Sequence, residues 1–101
     1  MRRTGLLLAA AMLTGLALAG CELTRQSFQA VSIGQTPQEV QKILGAPKYQ
    51  FGGEWIYTKD DPRDLTKVAV YFGPDKTVVG KSWENPEKPW ENLREGQVPK
   101  P

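Results

Sequence analysis

The fold is decided first at residues 36–47, whose sequence is TPQEVQKILGAP. Thr36 and Glu39 have the spacing of a capping box, in which each side chain accepts a hydrogen bond from the other residue's backbone amide. Pro37 suits the first position of a helix, and Gly45 suits the left-handed conformation that ends one. The stretch therefore predicts a helix from Pro37 to Leu44 with one apolar stripe, formed by Val40, Ile43 and Leu44.

After this helix the hydrophobic pattern changes to period two, which is typical of strands. Three stretches rich in β-branched and aromatic residues follow, at residues 54–58, 67–72 and 77–83. A polar loop at residues 59–66 separates the first two stretches, and a turn sequence at residues 73–76 separates the last two. The pattern predicts three antiparallel strands in chain order.

The predicted fold class is α+β, with one short helix, or two, packed on a three-stranded antiparallel meander in two layers. The apolar stripe of the helix is expected to cover Val68, Val70 and Phe72, which share one face of the middle strand. Ala69 and Tyr71 share the opposite face.

The predicted domain spans residues 31–83, and the segments on either side differ in composition. Residues 21–30 carry few apolar side chains, and we expect a tether with one helical turn that places Phe28 and Val31 against the body. Residues 84–101 contain four prolines, which predicts an extended, flexible tail. In that tail, Trp90 either belongs to a short recognition turn or folds back onto the domain.

The first twenty residues have the layout of a secretory signal peptide, with a positive start and an apolar run at residues 6–18. This run is shorter than the roughly 20 residues that cross a bilayer. Residues 18–21 are LAGC, which resembles the lipobox of bacterial lipoproteins, where the cysteine is acylated and becomes the first mature residue. The alternative is an ordinary signal peptide with an incidental cysteine at position 21.

Acylation of Cys21 implies stable membrane attachment, because three acyl chains exceed the two signals that firm anchoring requires. In the sorting scheme that the lipobox resemblance implies, an aspartate after the cysteine retains a lipoprotein at the inner membrane. Residue 22 is a glutamate. We therefore expect the protein on the periplasmic face of the outer membrane, held by its lipid anchor.

The composition excludes most catalytic and metal-binding templates. The 101-residue chain has no histidine and one cysteine, so it can form neither a Cys/His zinc site nor an intrachain disulfide. Its serines lack the histidine base that activates a nucleophile. The acidic loop with Asp60, Asp61 and Asp64 lacks the alternating ligands of a calcium loop. We expect no enzymatic activity, no cofactor and no bound metal.

Charge argues against a nucleic-acid partner. The net charge of +2 comes from Arg2 and Arg3, and removal of residues 1–20 leaves 11 basic against 11 acidic side chains. A neutral chain without a basic stripe does not attract the phosphate backbone. We expect neither nucleic acid nor a small-molecule substrate as a partner.

Four sequence features together resemble the SmpA/OmlA (BamE-like) family of small outer-membrane lipoproteins, over about residues 28–83. They are G-x-T-x-x-E-V at residues 34–40, L-G-x-P at 44–47, W-x-Y at 55–57 and the strand at 70–72. The resemblance implies a helix-plus-three-strand fold. As in the family's best-known member, it also implies an accessory role in the machinery that inserts β-barrels, through binding of protein partners and anionic lipid. The polar Gln35, where the family has methionine, departs from the pattern.

Aromatic residues near the first strand are the candidate binding surface. They are Tyr49, Phe51, Trp55 and Tyr57, with Trp90 as a further candidate in the tail. Lys48 and Lys59 lie close by in sequence and are candidate contacts for lipid phosphates. The alternative is that the aromatic rings cover the edge of the core.

Three functions remain open at this point. One is an accessory subunit of the β-barrel assembly machinery, as the family resemblance implies. Another is a stress-related or envelope-integrity lipoprotein outside that machinery. The third is an inhibitor of a periplasmic enzyme, for which a small rigid domain of this kind is also suited.

Acylation predicts that labelled palmitate is incorporated into the wild-type protein and lost in Cys21→Ser, which removes the thiol that carries the lipid. The measurement is the label recovered with the immunoprecipitated chain from cells grown with palmitate. Ser32→Ala is the matched control and should label like the wild type. Equal labelling of wild type and Cys21→Ser would contradict the lipid assignment.

Overall fold

The computed structural model describes residues 23–99, which form two α-helices on one face of a five-stranded antiparallel sheet. This arrangement confirms the predicted α+β class. The strands are ordered in the sheet as they are in the chain. The elements are α1 (Arg25–Ala30), α2 (Pro37–Leu44), β1 (Tyr49–Phe51), β2 (Glu54–Thr58), β3 (Lys67–Phe72), β4 (Val78–Glu84), a 3₁₀ turn (Pro89–Glu91) and β5 (Leu93–Gly96).

Local capping starts both helices. Helix α2 covers the predicted residues, and its capping box is formed: the Glu39 amide lies 3.2 Å from Thr36 Oγ1, and the Thr36 amide 3.1 Å from Glu39 Oε1. Gly45 ends α2 with a positive φ of 83°, which favours glycine. Helix α1 begins with a second capping box, between Thr24 and Ser27. The second helix that the sequence allows is therefore present.

The core lies between the helices and the sheet face that they cover. Val68 and Val70 are fully buried there, with Ile43 and Phe72 packed against the cluster at partial exposure, which confirms the predicted core face. The contact of the N-terminal segment with the body is confirmed too. The buried members of the cluster are Phe28, Val31, Val40, Leu44, Tyr57, Val68, Val70, Val78 and Trp83.

The predicted count of three strands is too low, because one short strand lies at each edge of the sheet. Strand β1 pairs with β2 across a turn in which Gly52 has a positive φ of 59°. It is three residues long, so its sequence is too short to show an alternating pattern. The predicted strands at 54–58 and 67–72 are confirmed as β2 and β3, and β4 begins one residue later than expected, at Val78.

The prediction of a flexible tail from residue 84 onward is wrong for β5, which pairs with β4 from Leu93 to Gly96. Gly80 permits this pairing, because a Cβ at that position would lie 2.1 Å from the Gln97 carbonyl oxygen. Gly96 faces Gly80 across the two strands and has a positive φ of 72°. A glycine inside a strand pattern often marks such a close backbone approach, and Gly80 was the available signal.

The segment between β4 and β5 is an ordered loop rather than part of a free tail. Its closure depends on Asn85, which is buried and whose amide donates to Asn92 Oδ1 at 2.9 Å. Asn85 Oδ1 accepts from the Glu87 amide at 2.9 Å, and Asn85 Nδ2 lies 3.4 Å from Thr66 Oγ1. The prolines shape this loop without preventing the strand that follows it.

The sheet has two chemically different ends. The antiparallel order places the β1–β2 and β3–β4 turns together at one end, which we call the turn end. The β2–β3 and β4–β5 loops lie together at the other end. Leu23 also lies there, because it lines a depression with Tyr57, Thr58 and Asp60. We call this the N-terminal end.

Phe28→Ala should lower the free energy of unfolding by about 3–5 kcal/mol, because it leaves a cavity between α1 and the sheet. Urea unfolding can be followed by tryptophan fluorescence, to which Trp83 contributes; its ring packs edge-on against Phe28 with centroids 5.6 Å apart. Phe51→Ala is the matched control: that ring is exposed, and its loss should change stability by less than about 0.5 kcal/mol. Similar losses in both variants would contradict the packing of α1.

Candidate functional site

The sheet register separates the aromatic residues that the sequence places together. Trp55 pairs with Val70 and Tyr57 with Val68, so both rings lie on the face covered by the helices. Tyr49 and Phe51 pair instead with Ile56 and Glu54, which point to the opposite face. The predicted cluster of four is therefore two pairs on opposite faces of the sheet.

Tyr57 and Trp55 contribute to the core. Tyr57 is buried, its hydroxyl donates to the Gly45 carbonyl oxygen at 2.9 Å, and burial raises the pKa of this phenol. This bond ties β2 to the end of α2. The Trp55 ring is partly buried and packs edge-on against Phe72, with centroids 4.8 Å apart. Tyr57 and Trp55 therefore fit the alternative interpretation, in which the aromatic rings cover the edge of the core.

Tyr49 and Phe51 form an exposed aromatic pair on edge strand β1. Their side chains are 49% and 63% exposed, and their rings stack with centroids 6.0 Å apart and planes 18° from parallel. Large apolar rings on an edge strand leave apolar surface in water that a partner can cover. Of the four aromatic residues predicted near the first strand, this pair is the exposed one.

Phe51 also lines a groove of about 580 Å³ at the turn end, which we call the turn-end groove. Its walls come from distant parts of the chain: β1 supplies Phe51, and the residues after β5 supply the facing wall. Its apolar lining includes the side chains of Phe51, Phe72, Val79 and Val98. Its polar lining includes Glu54 and Tyr71. Burial raises the pKa of Tyr71. A mostly apolar groove with few polar groups suits a binding surface.

Lys48 and Lys59, the candidate contacts for lipid phosphates, each lie beside an aspartate. Lys48 Nζ is 3.6 Å from Asp60 Oδ1, and Lys59 Nζ is 3.1 Å from Asp64 Oδ2. Their charges are partly compensated within the protein. The contact with lipid phosphates stays a prediction.

The acidic loop folds as a set of turns. Asp61 Oδ1 accepts from the Arg63 amide at 2.9 Å, and Asp64 Oδ1 accepts from the Thr66 amide at 3.1 Å. Hydrogen bonds from Thr66 and Lys59 lower the pKa of Asp64 to about 2. Within residues 23–99 no group of three or more cysteine, aspartate or glutamate side chains is placed to hold a metal ion.

The remaining predicted site residues lie elsewhere. Trp90 sits on the 3₁₀ turn at the N-terminal end, and its side chain is 76% exposed. The structure does not bring it together with Phe51, which lies at the turn end. Cys21, together with the signal peptide predicted at residues 1–20, falls outside the residues that the structure describes.

The sequence interpretation missed two cationic side chains that connect helix α1 to the C-terminal part of the domain. Lys81 is only 2% exposed, and its Nζ lies 2.8 Å from the Phe28 carbonyl oxygen and 3.1 Å from Glu95 Oε2. Arg25 lies over the Trp83 ring, 4.8 Å from its centroid, and donates to the Glu91 carbonyl oxygen. A signal for Lys81 was available, because it is two residues before Trp83 and so shares its face of the strand.

Comparison with known proteins leaves the family resemblance a prediction. No family model, curated protein or solved structure matches the chain. No helix within residues 23–99 has the length and apolar content that a bilayer crossing requires.

Thr66→Val should raise the pKa of Asp64 from about 2 toward its ordinary value of 3.8, because it removes the hydroxyl that donates to the carboxylate. The lowered pKa means that ionised Asp64 stabilises the folded state. That contribution is present above pH 3.8 and is lost as the pH falls through about 2.

The measurement is a titration of the carboxyl groups by NMR. Asp75 is an internal control: Thr77 lowers the pKa of that carboxyl in the same manner, and Thr66→Val should leave it unchanged. An Asp64 pKa near 3.8 in the wild-type protein would contradict the hydrogen bonding described for this loop.

Proposed function

We propose that this chain is a lipid-anchored, non-enzymatic interaction module on the periplasmic face of the outer membrane. In this proposal Cys21 carries the lipid, and the turn-end groove binds an envelope assembly such as the β-barrel assembly machinery. The role is similar to the one that the SmpA/OmlA (BamE-like) resemblance implies. The observation that carries the proposal is the exposed Phe51 at the edge of an apolar groove.

The position of the groove supports this role. Leu23, the first described residue, lies at the N-terminal end, whereas the groove lies at the turn end. A lipid anchor two residues before Leu23 holds the N-terminal end close to the bilayer. The groove then faces away from the membrane, where a periplasmic partner can reach it.

The chemistry of the groove favours binding over catalysis. Among the residues that line it, Glu54 and Tyr71 are the ionisable ones, and the pKa of Tyr71 is raised by burial. The rest of the described lining is apolar or amide in character. Exposed aromatic anchors beside a concave apolar surface are typical of interface hot spots.

Phe51→Ser should weaken partner binding by about 2 kcal/mol, or roughly 30-fold in Kd, if Phe51 anchors the interface. The measurement is affinity purification of the tagged full-length protein from detergent-solubilised envelopes, with quantification of the co-purified barrel-assembly subunits. Leu65→Ser is the matched control, because it removes another exposed apolar side chain, in the β2–β3 loop at the other end of the sheet.

We expect wild type and Leu65→Ser to recover the same subunits and Phe51→Ser to recover much less. Absence of barrel-assembly subunits from the wild-type sample would defeat that specific partner. Equal recovery by Phe51→Ser would defeat the groove as the binding surface. A stoichiometric periplasmic enzyme in place of those subunits would favour the inhibitor function.

A further inference from the structure

Trp90 is the most exposed of the large apolar side chains described, at 76%. An indole ring in this state presents more apolar area to water than any aliphatic side chain does. The ring belongs to a short turn, but it does not fold back onto the domain.

The exposure of Trp90 is fixed by the loop that carries it. The Glu91 amide donates to the Lys88 carbonyl oxygen at 2.9 Å, and the Asn92 amide donates to the Pro89 carbonyl oxygen at 3.1 Å. The Asn85 amide closes the loop on Asn92 Oδ1. The indole is therefore held outward by a hydrogen-bonded turn.

The turn is attached to the start of α1. The guanidinium group of Arg25 donates to the carbonyl oxygen of Glu91, the residue next to Trp90, while it lies over the Trp83 ring. Two residues before Arg25, the Leu23 side chain packs against the core cluster. Trp90 and Leu23, the first residue packed on the domain, therefore both lie at the N-terminal end.

The reach of the anchor is short at this end. Cys21 precedes Leu23 by two residues, and an extended chain spans at most about 3.6 Å per residue. Acyl chains on Cys21 thus begin within about 7 Å of a residue that is packed on the domain. The bilayer surface must then lie against the N-terminal end, where Trp90 projects.

We infer that Trp90 inserts into the headgroup region of the bilayer that holds the acyl chains, as a second contact that orients the domain. Tryptophan prefers this depth because its ring is apolar and its indole N–H is polar. The inference rests on the proposed acylation of Cys21. It adds a lipid-facing residue and an orientation: the N-terminal end faces the membrane and the turn-end groove faces away from it.

The contact depends on the indole and not on charge. Glu87 and Glu91 flank Trp90 together with Lys88, so the turn carries no basic cluster to attract anionic lipid. Zwitterionic phosphatidylcholine is therefore a sufficient membrane for the test. The contact should also persist at high salt, which weakens electrostatic attachment.

The test couples residues 21–101 to phosphatidylcholine vesicles through a maleimide lipid, which reacts with Cys21 as the sole cysteine. The vesicles contain phospholipids brominated along their acyl chains, which quench tryptophan fluorescence at the membrane. Because Trp55 and Trp83 are also present, the Trp90 signal is the difference between wild type and Trp90→Phe. We expect a blue shift and a loss of emission for Trp90 at both low and high salt.

The matched control is the double variant Trp90→Phe with Phe51→Trp, which moves the exposed indole to the turn end. Its new tryptophan should show neither the shift nor the quenching. Quenching of the control to the same degree, or no quenching of Trp90, would overturn the inference. So would a Trp90 that stays unquenched but cross-links to a protein in intact envelopes, because the ring would then face a protein partner.

Failure of the proposed function gives a different result. Chemical coupling supplies the anchor whether or not the cell acylates Cys21, so the vesicle experiment tests only which face meets the lipid. Palmitate labelling tests only the anchor. A labelled protein with an unquenched Trp90 refutes this inference alone. An unlabelled protein with a quenched Trp90 refutes the lipid anchor in the cell, whereas the lipid-facing orientation of the coupled domain stands.

Discussion

The positions of helix α1 and strand β5 depend on the contacts of one buried group, the ammonium of Lys81. It lies on β4, beneath α1, and contacts the Phe28 carbonyl oxygen, the Phe28 ring and the carboxylate of Glu95 on β5. A charge removed from water needs such partners, because its desolvation is costly. The same group therefore requires α1 on one side and β5 on the other. The first helix and the last strand are positioned together.

Much of the remaining geometry follows from that constraint. With α1 and β5 both fixed on β4, Arg25 can reach over Trp83 to the Glu91 carbonyl oxygen. The loop between β4 and β5 is then closed at both ends, by Arg25 at the helix and by Asn85 at the strand. At the other end of β5, the residues that follow it complete the groove beside Phe51. The exposure of Trp90 on its loop and the groove beside Phe51 thus both depend on elements that lie far apart in sequence.

Short-range sequence patterns predicted the helix and the strands that short-range interactions determine. The capping box at Thr36 placed α2, and the period-two pattern placed the three central strands. Strands β1 and β5 were missed because pairing with a neighbour, and not their own sequence, makes them strands. The aromatic cluster was divided for a similar reason: Phe51 and Trp55 are close in sequence, but the turn at Gly52 and the sheet register decide their faces. Of the groove, the sequence could identify Phe51 but not the wall supplied by the residues that follow β5.

The close pairing of Gly80 with Gly96 also means that the outer edge of β4 is covered only by a strand that comes later in the chain. Glu95 and Gly96 lie 14 and 16 residues after their partners Lys81 and Gly80, so they leave the ribosome after β4 has been synthesised. Until they arrive, Lys81 lacks its carboxylate and β4 is an open strand edge, a state that invites pairing with other chains. A nascent chain is therefore protected from self-association at this edge only after β5 has been synthesised and has paired with β4.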